Sequence, residues 1–247
     1  MPAAVSLASP VVSVEPGGQA TVEVRIRNTG TVVDQFACNI VGDASAWARC
    51  EPPGLSLFPD AEQTITVRFD PPRSSAVAAG SVPFGVRVTS HEDPDFSVVE
   101  EGTVQIGGFA AVQARVVPRT SEGKRRAVHR VEVTNTGNAP VTAQISASDP
   151  DELLAFALEP ETLEVPPGET SVARVKVAAR KSQSGRGSRR LPFTVVVESG
   201  GAPVQADAAF EQKPKGSVFI IIAILVVAAA LVFLLKDQAS SLTMVLR

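Results

Sequence analysis

The sequence predicts an all-β chain of two tandem sandwich domains followed by one C-terminal transmembrane α-helix. Three observations carry that reading. Apolar and polar residues alternate with period two in short runs, separated by Pro, Gly, Asn and Asp. The pattern of residues 1–108 returns in residues 109–212. Val218 to Leu235 is a run of 18 apolar residues with no charge, Gly or Pro.

In the first domain, 1–108, strands are predicted near 11–15, 20–28, 33–41, 47–51 with 55–58, 63–70, 82–90 and 97–106. Turns fall at Pro16-Gly17-Gly18, Asn28-Thr29-Gly30, Pro52-Pro53-Gly54, Pro59-Asp60 and Asp93-Pro94-Asp95. These residue types fix φ, permit positive φ or bond their own backbone. With 19 Pro, 18 Gly, one Trp and no Tyr, the composition favours short strands over long helices. Seven short strands in roughly 100 residues indicate a β-sandwich of immunoglobulin type.

The second domain, 109–212, follows from the repeat. Asn28-Thr29-Gly30 returns as Asn135-Thr136-Gly137, and Glu51-Pro52 with Leu55 and Leu57 returns as Glu159-Pro160 with Leu163 and Val165. Val67 matches Val175, and PFGVRV at 83–88 matches PFTVVV at 192–197. A period of about 108 residues is too long for a solenoid unit, so each copy is a whole domain. Gly107-Gly108 reads as a short hinge between the copies. A linker at 213–217, the span at 218–235 and a tail at 236–247 complete the chain.

The frame EPGGQATVEVRIRNTGTVVDQF, then Trp47, then EPPGLSLFPDAEQTITVRFDPPR and GSVPFGVRV, resembles a family of bacterial immunoglobulin-like proteins. That family is common in actinobacteria and is often labelled "hydrolytic protein". It is similar to adhesion-type and sugar-hydrolase-associated sandwich modules that share the PG…T…V.V.NTG pattern. The resemblance covers both repeats, more strongly the first, and implies a sandwich fold. The hydrolytic label fits modules attached to hydrolases, whose catalytic motifs this sequence does not contain.

At 1.5 Å per residue the apolar run spans roughly 27 Å, close to the hydrocarbon thickness of a bilayer. Met1 to Gly18 hold no Lys or Arg and no long apolar stretch, so no secretory signal is read. Twelve residues follow the span. Such a helix leaves the ribosome only after synthesis ends, which is a tail-anchor arrangement with the N-terminal domains in the cytoplasm. Lys213, Lys215, Lys236 and Arg247 flank both ends and do not decide orientation.

Cys38 and Cys50 lie in FACNIV-GDASA-WARCEP. With GDASA as a hairpin loop they face each other on neighbouring strands, a geometry compatible with a disulfide. The alternative is a pair of small core thiols, which a cytoplasmic location favours; a disulfide would weigh against that location. Two thiols make a poor zinc site.

Little else points to chemistry. The chain has two His, His91 and His129, and neither G-x-S-x-G nor H-E-x-x-H. The acidic stretch His91 to Asp95 lacks a calcium-loop pattern and reads as a turn. No cofactor or metal is expected, no small-molecule substrate is indicated, and the expectation is a non-enzymatic protein.

Charge is more informative. Residues 1–108 carry 6 basic and 13 acidic side chains, whereas 109–212 carry 13 basic and 12 acidic. Two basic clusters stand out in the second domain: Lys124, Arg125, Arg126 and Arg130, and Arg180, Lys181, Arg186, Arg189 and Arg190. In a seven-stranded sandwich the first-to-second and fifth-to-sixth connections share one pole, and the last strand exits there. Both clusters should therefore sit where the chain approaches the bilayer, each cation gaining about 1 kcal/mol beside an anionic leaflet. Asp149, Asp151 and Glu152 belong to the same pole and oppose this. The clusters lack interleaved aromatics, which argues against nucleic acid.

The expected function is a membrane-anchored interaction or scaffold module, with the acidic first domain as recognition head and the second as spacer. Its partners would be the lipid bilayer and an unidentified protein; a large envelope-associated assembly is one such class. The alternative is an extracytoplasmic surface protein that binds cell-envelope material or carbohydrate. A single Trp and no Tyr give that alternative few stacking platforms.

Overall fold

The computed structural model describes residues 2–183 and 187–214. The predicted span, the tail and most of the linker lie outside them. Among the described residues no helix is long and apolar enough to cross a membrane.

Period-two alternation becomes strands wherever one side can be buried. In Ala20–Asn28, Val22, Val24, Ile26 and Asn28 point inward while Glu23, Arg25 and Arg27 face water. The first domain runs β1 (Ala3–Leu7), β2 (Val11–Val14), β3 (Ala20–Asn28), β4 (Asp34–Val41), a 3-10 turn (Asp43–Ala46), β5 (Ala48–Glu51), β6 (Gly54–Leu57), β7 (Glu62–Phe69), β8 (Gly80–Ser90) and β9 (Ser97–Ile106). They form one sheet of order β1-β3-β7-β5 and a second of order β2-β9-β8-β4-β6.

The second domain repeats this plan with β10 (Val112–Val117), β11 (Thr120–Gly123), β12 (Arg126–Asn135), β13 (Val141–Ser148), β14 (Leu154–Glu159), β15 (Thr162–Val165), β16 (Thr170–Ala179), β17 (Arg189–Glu198) and β18 (Val204–Gln212). Its sheets are β10-β12-β16-β14 and β11-β18-β17-β13-β15. All pairings are antiparallel except β2 with β9 and β11 with β18. Each domain buries its own apolar cluster between its sheets, around Phe36, Phe69 and Phe84 in one and Phe193 and Phe210 in the other.

The structure departs from the sequence reading at three places. First, β1 precedes the first predicted strand. Of its five residues only Ala3 is fully buried, so the alternation is too shallow to read. Second, 47–51 and 55–58 are not one strand: β5 pairs with β7 in one sheet and β6 with β4 in the other. Pro52 and Pro53 mark the crossing, where neither could donate a ladder bond. Third, GDASA closes no hairpin, because the 3-10 turn carries the chain from one sheet to the other.

That third correction changes the cysteines. Cys38 on β4 and Cys50 on β5 face each other across the sandwich, not along one sheet. Their Cα atoms are 6.2 Å apart and their sulfurs are bonded, which replaces the favoured reading of free thiols. The cross-link closes a separation of 12 residues, and loop-closure entropy of that size is worth about 3 kcal/mol. Cys38→Ser/Cys50→Ser should therefore lower the unfolding free energy of the first domain by about that amount, read as a shift in denaturant midpoint. An unchanged midpoint under non-reducing conditions would show that the bond does not form.

The Gly107-Gly108 segment is tied down more than a free hinge would be. Asn138, buried in the second domain, donates from Nδ2 to Gly107 O at 3.0 Å and accepts from Phe109 N at 2.8 Å. Ala79 N of the first domain donates to Asn138 O, and the Arg73 guanidinium lies 4.2 Å from the Phe109 ring centre.

Candidate membrane-facing basic pole

The candidate site is built on the strand ends of the second domain. Lys124 and Arg125 form the turn between β11 and β12, and Arg126 opens β12. Arg180 and Lys181 follow β16, and Arg189 and Arg190 open β17. Arg186 lies outside the described residues.

One side chain holds these pieces together. Gln212, 3 % exposed at the end of β18, donates from Nε2 to Lys124 O at 3.2 Å and to Lys181 O at 2.8 Å. One amide thus ties both basic turns to the last strand. Ala179 N donates to Arg125 O at 2.9 Å, and Lys213 N to Gly123 O at 2.7 Å. Arg189 pairs in register with Gln212, and Arg190 with Glu211. Lys124, Arg125, Arg126, Arg180, Lys181, Arg189 and Arg190 therefore surround the point where the chain leaves the domain, and all are exposed. Arg130 does not join them. It lies further along β12 on the outer sheet face, in register with Arg174.

The electrostatics are one-sided. Among the described residues none of those seven cations forms an ion pair, although Arg115 pairs with Glu132, Lys176 with Glu159 and Lys213 with Glu122. Glu122 accepts a hydrogen bond from the Lys213 ammonium and holds its pKa above the ordinary lysine value. The Asp149 carboxylate is engaged by the backbone, accepting from Leu153 N at 2.6 Å and Leu154 N at 3.3 Å. Arg180 adjoins that connection, donating from Nε to Leu154 O at 3.0 Å. Seven cations without an ion pair among the described residues leave this pole with an excess of positive charge, which Glu122, Glu211, Asp149, Asp151 and Glu152 reduce.

Beneath the pole lies His129, fully buried where the first repeat has Val22. Its Nδ1 is 2.7 Å from Pro118 O and its Nε2 is 2.7 Å from Ser121 Oγ, with the Phe193 ring edge-on at 5.0 Å. A carbonyl only accepts, so Nδ1 carries the proton and Nε2 accepts from the serine hydroxyl. Burial lowers the pKa of this imidazole, against a raising effect of the Pro118 carbonyl. The unfolded chain therefore binds a proton below about pH 6.5 that the folded domain refuses. Stability should fall as pH drops below that value and level off once the folded imidazole is also protonated. His129→Val, which restores the residue of the first repeat, should flatten that acid limb in melts across the range. An unchanged slope would assign the acid sensitivity elsewhere.

Several of these roles escaped the sequence reading. Gln212 continues the inward phase of Ala206, Ala208 and Phe210, so a polar residue on a buried phase was the available signal. His129 stands on the inward phase of β12 in the same way. The stretch from His91 to Asp95 is a turn organised by buried Asp34. Its carboxylate accepts from Ser90 Oγ at 2.5 Å and from His91 N and Glu92 N at 3.2 and 3.1 Å. Trp47 stacks at a tilt against Phe69, ring centres 6.1 Å apart, and so covers the core.

Residues 112–213 match the family described as an IG-like fold at the C-terminal of FixG, a match confined to the second domain. No curated protein matches the sequence. Among solved structures, the chain is similar to the D00-D0 domain of intimin at 10% identity and TM-score 0.39, covering 84% of this chain and 99% of that one. It is also similar to a protein of unknown function from Porphyromonas gingivalis W83, at 14% identity, TM-score 0.32, and 82% and 99% coverage. The periplasmic chaperone SfaE gives 14% identity, TM-score 0.32, and 82% and 98% coverage. With its two-sheet domains and the matched second repeat, the described chain is an all-β protein of immunoglobulin-like sandwiches.

Proposed function

We propose that this protein is a non-enzymatic interaction module tethered to a membrane through the apolar run at 218–235. In this reading the second domain rests its basic pole on an anionic lipid surface and the first domain is held outward as the recognition head. The observation that carries it is the gathering around Gln212 and Lys213, immediately before the apolar run, of seven cations that form no ion pair among the described residues. A charged surface there and a bilayer-length apolar segment six residues on would act on the same membrane. Deleting the first domain should abolish co-purification of a protein partner from gently solubilised membranes while leaving the chain in the membrane fraction. Retention of every partner would refute the head-and-spacer division.

A second reading concerns which side of the membrane the domains occupy. The bonded Cys38 and Cys50 favour an oxidising compartment, and with it an envelope-facing role, over the cytoplasm. A single exposed cysteine on the outer face of β7, Thr64→Cys, separates the two. Labelling by a membrane-impermeant maleimide in intact cells supports the outward arrangement; labelling only after lysis supports the cytoplasmic one.

A further inference from the structure

The outer face of the sheet β2-β9-β8-β4-β6 carries an open groove of about 540 Å³. Pro10, Val11, Val41, Pro83 and Val99 make it apolar, and Asp43 and Glu101 stand on either side of β8. Val11 and Val99 are 52% and 42% exposed, two of the exposed large apolar side chains among the described residues.

Gly85 makes the floor continuous. A Cβ there would come within 2.7 Å of Val99 Cγ1 and 2.8 Å of Val41 Cγ2, so the valines from the two neighbouring strands lean over β8 only because it has no side chain. The second repeat treats the same position differently. Thr194 replaces Gly85, Asp207 stands in the register of Glu101, and the threonine hydroxyl donates to that carboxylate at 2.9 Å. The second domain satisfies its acid, and its groove at this position is smaller, about 300 Å³, with Thr194 and Asp207 in the lining. In the first domain, neither Asp43 nor Glu101 has a side-chain hydrogen bond or ion pair among the described residues, and Arg87 on the next row of β8 pairs with neither.

We propose that this groove is the partner site of the recognition head, and that it takes an extended protein segment bearing Lys or Arg flanked by aliphatic residues. An aliphatic stem fits the valine floor and its cationic head reaches the carboxylates. The groove is larger than one such side chain needs, which leaves room for its neighbours. The surplus of acid in residues 1–108, 13 acidic against 6 basic, steers a basic partner toward this domain. A sugar ring would find no exposed aromatic face here.

This inference rests on the first domain being the head, and its test is separable from that reading. The full chain in neutral detergent is titrated calorimetrically with the peptides acetyl-Val-Lys-Val-Lys-Val-amide and acetyl-Val-Glu-Val-Glu-Val-amide. The lysine peptide should bind saturably, weaken in raised salt, and bind at least about tenfold more weakly to Asp43→Asn/Glu101→Gln. The glutamate peptide, whose complement on this chain is the basic pole of the second domain, should bind the parent and the Asp43→Asn/Glu101→Gln variant alike. Gly85→Thr, the residue of the second repeat, should also lose binding; the exposed carboxylate variant decides the matter if that substitution disturbs the strand. Equal binding of the lysine peptide to the parent and the carboxylate variant, or no saturable binding of that peptide, would overturn the proposal. If partner capture by the first domain survives such a result, the head reading stands and only the groove is wrong.

Discussion

Replacing Arg125, Arg126, Arg189 and Arg190 together by Gln should weaken binding of residues 2–214 to vesicles rich in anionic phospholipid by about 10³-fold. Each cation within a Debye length of such a surface contributes about 1 kcal/mol, and about 4 kcal/mol corresponds to that factor. All four are exposed and none holds an intramolecular ion pair among the described residues, so their loss should leave the fold unchanged by circular dichroism. Raised salt should reproduce the loss, and vesicles of neutral lipid should bind the parent and the variant equally weakly. Gln212→Leu is the geometric control. It keeps every charge but releases both basic turns, so its binding should fall between parent and quadruple variant. Equal sedimentation of parent and quadruple variant with anionic vesicles would remove the membrane-facing role from this pole.

The second large effect is expected at the repeated asparagine. Asn28, fully buried, donates from Nδ2 to Val32 O at 2.9 Å and Leu57 O at 3.0 Å and accepts from Gly30 N at 2.8 Å. Asn135 does the same in its own domain, donating to Ala139 O at 2.8 Å and Val165 O at 3.0 Å and accepting from Gly137 N at 2.9 Å. Each amide thus joins the turn after β3 or β12 to the end of β6 or β15. Alanine would take this partner from two carbonyls in each domain and, at position 28, from Gly30 N as well, whereas Gly137 N also donates to Ala111 O at 3.2 Å; buried unsatisfied groups cost about 1–3 kcal/mol each. Asn28→Ala and Asn135→Ala should each destabilise their own domain by about 3–4 kcal/mol in denaturant titrations. Asp at either position should not rescue, because a carboxylate cannot donate to the carbonyls. A loss below about 1 kcal/mol would mean that water replaces the amide.

The asparagines also show why so much of the fold was legible in the sequence. An inward-phase Asn followed by Thr-Gly is a local arrangement whose partners lie within one turn and one strand end. It recurs at an offset of 107 residues with the same hydrogen bonds. Strand phase was readable for the same reason, since a strand with one buried face writes its burial pattern directly into residues two apart. The approach of Lys124 to Lys181 followed from connection order alone. The pairing of Cys38 with Cys50 did not follow, because both a hairpin and a sheet crossing satisfy a spacing of 12 residues. β1 was missed because a strand that buries one small residue carries almost no pattern.

What the sequence determined by itself was the class of strand, the twofold repeat, the apolar run and the sign of charge in each segment. All of these depend on residues near one another in the chain. What only the tertiary structure decided was which sheet each short strand joins, that Gln212 clamps the basic turns, and that the groove over Gly85 is about 540 Å³ where its counterpart over Thr194 is about 300 Å³. Those depend on contacts between distant segments, where a single missing Cβ or a single buried amide settles the geometry and local alternation is silent.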